Sequence, residues 1–444
     1  MALWTFPLDV VALIERCTEA LHARTAHRLA PLLQGLLWAR GRRTVTSWLR
    51  AAGVTADFRA SYYFIASLGR QVGLLAGVFF RRLLDRLAPG ERWLFALDDT
   101  PTARYGRWVE GAGVHRNPTP GPSQQQFVYG HIWVTLAWVL RHPCWGTLSL
   151  PLLAWLYIRH KDLPQVPRWY RPPFRTKLEL AANLLVWLAT WLGPVAKPVW
   201  VVVDGFYGKK PFLKVARARH IVVVGRLRRD AALWSVPAEV PSGQRRPGRP
   251  RKYGAQRLSL AKRAGQTRGW QTLSVVQYGR AVLKTYKTFL ATWQPAGGVI
   301  RVVLVREVGR WLAFFCTDPQ AAVPALLEAA ADRTAIEQTF HDVKEVEGAG
   351  QQQVRNLHAN VGAFNLNLWA HTLVEWWAWE RPQKELSDRQ ASPWDDATRR
   401  PSHADRRKAL QRASIEPAFC QRSGGRPWPR KILQLLRNLV KMVA

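Results

Sequence analysis

Apolar residues in the first part of the chain recur at helical spacing. Leu21, Leu29, Leu32, Leu33 and Leu36 mark one face, and the stretch from residue 1 to about 88 reads as helical. Within it, Thr44 is placed to cap a helix that begins near Val45, and Gly53 to end that helix. From Glu91 the period changes. ERWLFALDDT is a short apolar run closed by two acids, the pattern of a buried strand with carboxylates at its C-terminal end. A polar loop from Gly106 to Pro122 leads into FVYGHIWVTLAWVL and GTLSLPLLAWLYI, two β-rich runs whose linker RHPCW predicts a hairpin. Lys177 to Leu192 predicts a helix, PVWVVVDGFYG a strand ended by Asp204, Lys209 to Arg219 a helix, and HIVVVGRL a further strand.

Strands and helices in this order predict an α/β core with a mixed sheet, flanked by an N-terminal helical domain. Acids fall at the C-terminal ends of two strands, where open α/β sheets place their ligands. Residues 229 to about 320 read as a β-rich insertion that opens with the basic loop PSGQRRPGRPRKYG. After Pro319 the pattern turns helical through Glu347 and again from Leu357 to about Trp379; 380–430 is polar and Pro-rich, and Lys431 to Val443 predicts a basic amphipathic helix. The expected divisions are therefore 1–88, 89–228, 229–320, 321–379 and 380–444.

Charge narrows the function. Lys and Arg number 65 against 30 Asp and Glu, a formal net charge of +35, which calls for a polyanionic partner. A membrane surface is the weaker choice. Ile132 to Ile158 is interrupted by Arg141, His142 and Pro143, and Leu178 to Leu192 carries Glu179 and stops short of Pro194. The N-terminus lacks the basic start and cleavage-type residues of a signal peptide, and Cys17, Cys144, Cys316 and Cys420 form no CxxC pair. The expectation is a cytoplasmic, nucleoid-associated protein that binds DNA.

Three features then carry chemistry: Asp98-Asp99-Thr100 and Asp204, both at strand ends, and the helical stretch ADRTAIEQTFHDVKE. Carboxylates brought together repel unless a cation sits between them, and an all-oxygen set suits Mg²⁺ or Mn²⁺. Two such ions serve phosphodiester displacement. A single Asp at a strand end is otherwise a turn former or cap.

Asp-Asp-Thr after one strand, Val-Val-Asp-Gly after another and a distal Arg-x3-Glu-x6-Lys resemble the DDE transposases of bacterial insertion sequences, in the branch with a Tyr-x2-Arg-x3-Glu-x6-Lys signature. Arg333, Glu337 and Lys344 fit that spacing, with Ala330 at the Tyr position. The resemblance covers roughly residues 91–375. It implies a ribonuclease-H-like core, catalytic metal ligands Asp99, Asp204 and Glu337, partners in element terminal inverted repeats and target DNA, and a homodimer on paired ends. It also implies a β-rich insertion between the last two acids, here 132 residues apart. Asp98 is left as a support, or as the residue with which Asp99 exchanges roles.

On an ideal helix Arg333, Glu337 and Lys344 share one face within about 60°, which suits an acid on a metal flanked by cations on phosphates. Trp311 occupies the position where the resembled family stacks a flipped base, or else it is core. Arg246, Arg249, Arg251 and Lys252 surround a Gly-Arg-Pro that reads either as a minor-groove hook or as a solvated basic loop. The basic segment from Arg40 to Arg50 resembles a helix-turn-helix, or is the surface of a helical domain. The function expected is cut-and-paste DNA transposition with two Mg²⁺ (or Mn²⁺) ions; the alternative is a decayed, non-enzymatic DNA-binding relative.

Overall fold

The computed structural model describes residues 6–117, 126–238, 251–387, 394–396, 398–421 and 432. Six helices open the chain: α1 (Leu8–Thr18), α2 (Ala23–Ala26), α3 (Leu29–Trp38), α4 (Val45–Ala51), α5 (Phe58–Arg70) and α6 (Val72–Leu83). The Thr44 hydroxyl caps α4 by accepting from Ser47 N at 3.1 Å, and Gly53 ends it at φ 70°. The core follows as β1 (Trp93–Ala103), β2 (Gly113–Arg116), β3 (Phe127–His142), β4 (Gly146–Tyr157), α7 (Lys177–Leu192), β5 (Val199–Val203), α8 (Lys210–Ala218) and β6 (Val222–Leu227).

The next stretch holds β7 (Leu233–Trp234), β8 (Arg257–Leu258), α9 (Leu260–Gly265), β9 (Gln271–Gln277), β10 (Arg280–Trp293), β11 (Gly298–Glu307) and β12 (Arg310–Cys316). Helices α10 (Val323–Asp332), α11 (Thr334–Glu345), α12 (Leu357–Ala378), α13 (Gln383–Leu386) and α14 (His403–Gln421) complete the described chain. The C-terminal helix expected at 431–443 lies outside the described residues, save Ile432.

One mixed sheet of twelve strands runs β2-β3-β1-β5-β6-β12-β11-β10-β7-β8, with β4 paired to β3 and β9 to β10. β1, β5 and β6 are parallel, while β3 and β4 form the expected hairpin. The β-rich stretch after β6 is less separate than its sequence suggests. β12 pairs antiparallel with β6 from Ala313↔Leu227 to Cys316↔Val224, so the insertion extends the central sheet.

Alternation along the strands divides two cores. Phe95, Leu97, Val201, Val203 and Val223 face α7 and α8, while Ala96, Trp200, Val202 and Val224 face α10 and α11. The N-terminal helices belong to the first core, where α5 crosses α12 at two glycines. A Cβ on Gly69 would lie 1.8 Å from the His358 carbonyl oxygen, and one on Gly362 2.2 Å from that of Ile65. Among the described residues no single helix is long and apolar enough to cross a membrane; α5 and α6 qualify only together, bent by 81°.

Candidate active site

β5 ends one residue before Asp204, and its last ladder partner on β1 is Leu97. Asp98 and Asp204 therefore stand side by side where the parallel ladder stops and the edge of β1 opens. The pleat then sends Asp98 and Asp99 to opposite faces.

Asp98 turns toward α11. Its Oδ2 accepts from Arg333 Nη1 at 2.5 Å, and Arg333 Nη2 donates to Glu337 Oε1 at 2.5 Å. Asp204 adds its field to both Asp98 and Arg333. Burial raises the Asp98 carboxyl to about 6, although Arg333 and the Asp99 backbone N–H pull it down. Burial lowers the Arg333 pKa, but the carboxylates of Asp98, Glu337 and Asp204 outweigh it and the net shift is upward. Three acids thus converge on one guanidinium, Asp204 from the end of β5, Glu337 from α11, and Asp98 from the middle of β1, which continues to Ala103 where the sequence led one to expect its end. Asp204 and Glu337 are exposed; Asp98 is half-buried.

Asp99 was expected in this set, and its side chain goes elsewhere. It turns to the α7–α8 face, where Lys177 Nζ lies 2.5 Å from Oδ2 and the Tyr207 hydroxyl donates to Oδ1 at 2.8 Å. Tyr207 is fully buried, and burial together with Asp99 pushes its phenol well up. Sequence reasoning missed Lys177 and Tyr207. Tyr207 carried a signal, three residues past Asp204 in an exposed-looking turn that buries an aromatic; Lys177, 78 positions from Asp99, carried none.

Arg333 closes α10 and opens α11, so the single helix expected through this region is two. Arg333 keeps helical φ and ψ and reaches Glu337 four residues on, so these two share a face as expected. Lys344 lies half-buried along α11, its ammonium pulled down by burial and supported by Glu345, and it makes no ion pair with the three acids. Trp311 sits on β12 beyond the Ala313↔Leu227 pair, on the α7–α8 face, two strands across from β5 and three residues along β12 from the position level with Asp204. It is half-buried, with the Arg229 guanidinium 5.1 Å above its ring. Arg251 and Lys252 are exposed before β8; Arg246 and Arg249 lie outside the described residues. Of the N-terminal basic segment, Arg40, Arg42 and Arg50 are exposed, while Arg43 is half-buried and donates its backbone N–H to Gln351 Oε1 at 2.8 Å.

A second polar cluster joins α14 to the core. His403 bonds Glu347 at 2.8 Å and Glu375 at 2.6 Å, and Arg406 lies 2.9 Å from Glu375. His371, Glu375 and His403 offer ligand atoms within 4.8 Å of one another. The two imidazoles stack at 4.1 Å and 20°, which sets their lone pairs side by side rather than converging, and both His403 nitrogens already face carboxylates. Protein charges neutralise this cluster, and it is an ion network rather than a cation centre.

The family profile described as DDE superfamily endonuclease matches residues 17–289, more than half of the chain. The chain belongs to the DDE superfamily endonucleases. The match takes in Asp98, Asp99 and Asp204 and stops before Glu337, so Glu337 joins the site on geometry. A search of curated proteins found no match. Membership in the DDE superfamily endonucleases carries a nuclease domain with DNA as substrate, and such domains typically use divalent metals. The mixed α/β fold with its large sheet is consistent with a DDE nuclease.

Proposed function

We propose that this chain is a transposase that hydrolyses phosphodiester bonds at insertion-element ends and joins the freed ends to target DNA, two copies acting on paired ends. The observation that carries the reading is Arg333 bonded to both Asp98 and Glu337 beside Asp204. A DNA-seeking chain of charge +35 has no use for exposed acids at a strand end unless a cation stands between them and the phosphate. The order β4-β3-β1-β5-β6, an antiparallel meander followed by two parallel strands, supports a ribonuclease-H-like core.

The donor set fits the cation that the family implies. Asp98, Asp204 and Glu337 offer only carboxylate oxygens, the choice of hard divalent ions such as Mg²⁺ or Mn²⁺. When bound, a pair of such ions supplies activation of water or a 3′-hydroxyl and stabilisation of the leaving oxygen. Arg333 keeps Asp98 and Glu337 from repelling each other and offers a bidentate fork to a phosphate that approaches the acids. Asp99 serves from the other face, through Lys177.

The test uses DNA carrying element–flank junctions with Mg²⁺. Asp98→Asn, Asp204→Asn and Glu337→Gln are expected to lose cleavage and joining while still shifting DNA in gels. Asp99→Asn is expected to keep measurable cleavage. Cleavage by Asp98→Asn together with its loss in Asp99→Asn would return the role to Asp99; wild-type cleavage in all three cluster variants refutes the site.

A further inference from the structure

On the face of β1 away from Arg333, an exposed phenyl ring sits among lysines. Phe206 follows Asp204 by two residues and is 43% exposed. Lys209 Nζ lies 4.6 Å from its centroid and Lys177 Nζ 5.9 Å. Lys177 reaches there from the start of α7, Lys209 from the residue before α8, and the two helices pack together. Lys177 also stands 5.8 Å from the Tyr157 ring and is fixed by Asp99, whose other oxygen is held by the buried Tyr207.

This arrangement is more than a surface ion pair. Asp99 and Lys177 are each about a quarter exposed or less, so the pair is partly shielded from solvent. Its acid is held by the hydroxyl of the buried Tyr207. The aromatic face beside it is open, with two ammonium groups 4.6 and 5.9 Å from its centroid. A strand that delivers a phosphate to Asp98 and Asp204 must continue past Asp204 on one side or the other. Arg333 guards the α11 side; Phe206 and the two lysines meet the strand on the α7–α8 side.

Resting on the reading of this site as a DNA-cutting centre, we propose that Lys177, Phe206 and Lys209 grip the DNA strand flanking the cut. The ammonium groups contact neighbouring phosphates and the phenyl ring lies under an unpaired base. Asp99 and Tyr207 are positioning residues that hold Lys177 at this station. Trp311 shares the same face, so a strand leaving Phe206 toward β12 meets a second aromatic surface with its own cation, Arg229.

The experiment measures binding of the full chain to a fluorescein-labelled 20-nucleotide single strand and the matching duplex, without divalent metal, across a salt series. Lys209→Gln is expected to lower the slope of log K against log[salt] by about 0.7 on the single strand, one phosphate contact. Lys177→Gln is paired with Asp99→Asn so that no half-buried acid is left alone, and is expected to lower it similarly. Lys177→Arg should restore the slope. Phe206→Leu should weaken single-strand binding about fivefold or more at unchanged slope, with less effect on duplex. Wild-type slopes in both lysine variants, with wild-type cooperative unfolding, overturn the grip. If the wild-type chain binds neither DNA, the DNA-cutting reading falls with it. If it binds and cuts while the variants keep their slopes, the grip alone falls.

Discussion

Replacing Arg333 by alanine removes a cation that holds two carboxylates of the cluster at once, each at 2.5 Å. A divalent ion held by those acids would compete with the guanidinium for their charge. In water a unit pair at about 4 Å interacts by about 1 kcal/mol, and at an effective dielectric of 20 by about 4 kcal/mol. A double charge scales the smaller figure to about 2 kcal/mol. That lower bound is the appropriate one, because Glu337 is more than half exposed and solvent screens the interaction. About 2 kcal/mol is near a thirtyfold change in an equilibrium constant.

Arg333→Ala is therefore expected to tighten Mn²⁺ binding ten- to thirtyfold in the DNA-free chain, read from the signal of free Mn²⁺ in an electron paramagnetic resonance titration. Cleavage should fall in the same variant, and excess Mn²⁺ should not recover it, since what is missing is a cation facing DNA. Arg333→Lys should lie between. Unchanged or weaker Mn²⁺ binding in Arg333→Ala would mean that the guanidinium and the ion do not compete for these acids, and the placement of the cation site would fail.

The α14 network makes a stability prediction. Burial lowers the His403 pKa, but hydrogen bonds to Glu347 and Glu375 reverse this and raise it to about 9. The stability His403 contributes is whole below its unfolded value near 6.5 and is lost as pH rises through 9. Urea unfolding of the wild type should weaken across that window, while His403→Ala, about 3–5 kcal/mol less stable at pH 6, should show a flatter profile; parallel profiles would show that the network does not hold a charged imidazole. Gly362→Ala drives a Cβ to 2.2 Å from the Ile65 carbonyl and should cost about 3 kcal/mol or more in the same assay, whereas a variant as stable as its parent would deny the α5–α12 crossing.

Periodicity alone determined much of this protein. Helical spacing marks the N-terminal helices, a short apolar run marks β1, valine runs mark β5 and β6, and the RHPCW turn marks the β3–β4 hairpin, because these signals depend on neighbours a few residues apart. The same local logic put Asp204 at the end of β5 and a cap at Thr44, but ended β1 at Asp99 where the strand runs on to Ala103. Tertiary structure decided the rest. By sequence Asp99 is the preferred candidate and Asp98 a support, and only the position of α11 on one face of the pleated β1 gives Asp98 the contact with Arg333 and Glu337. The break at Arg333 follows because α10 packs under β5 and β6 while α11 packs under β1 and β4. Lys177 came to Asp99 from 78 positions away, and the insertion became part of the central sheet when β12 found the free edge of β6. Such pairings are set by which surfaces remain uncovered after the local elements form, and no window of sequence contains that information.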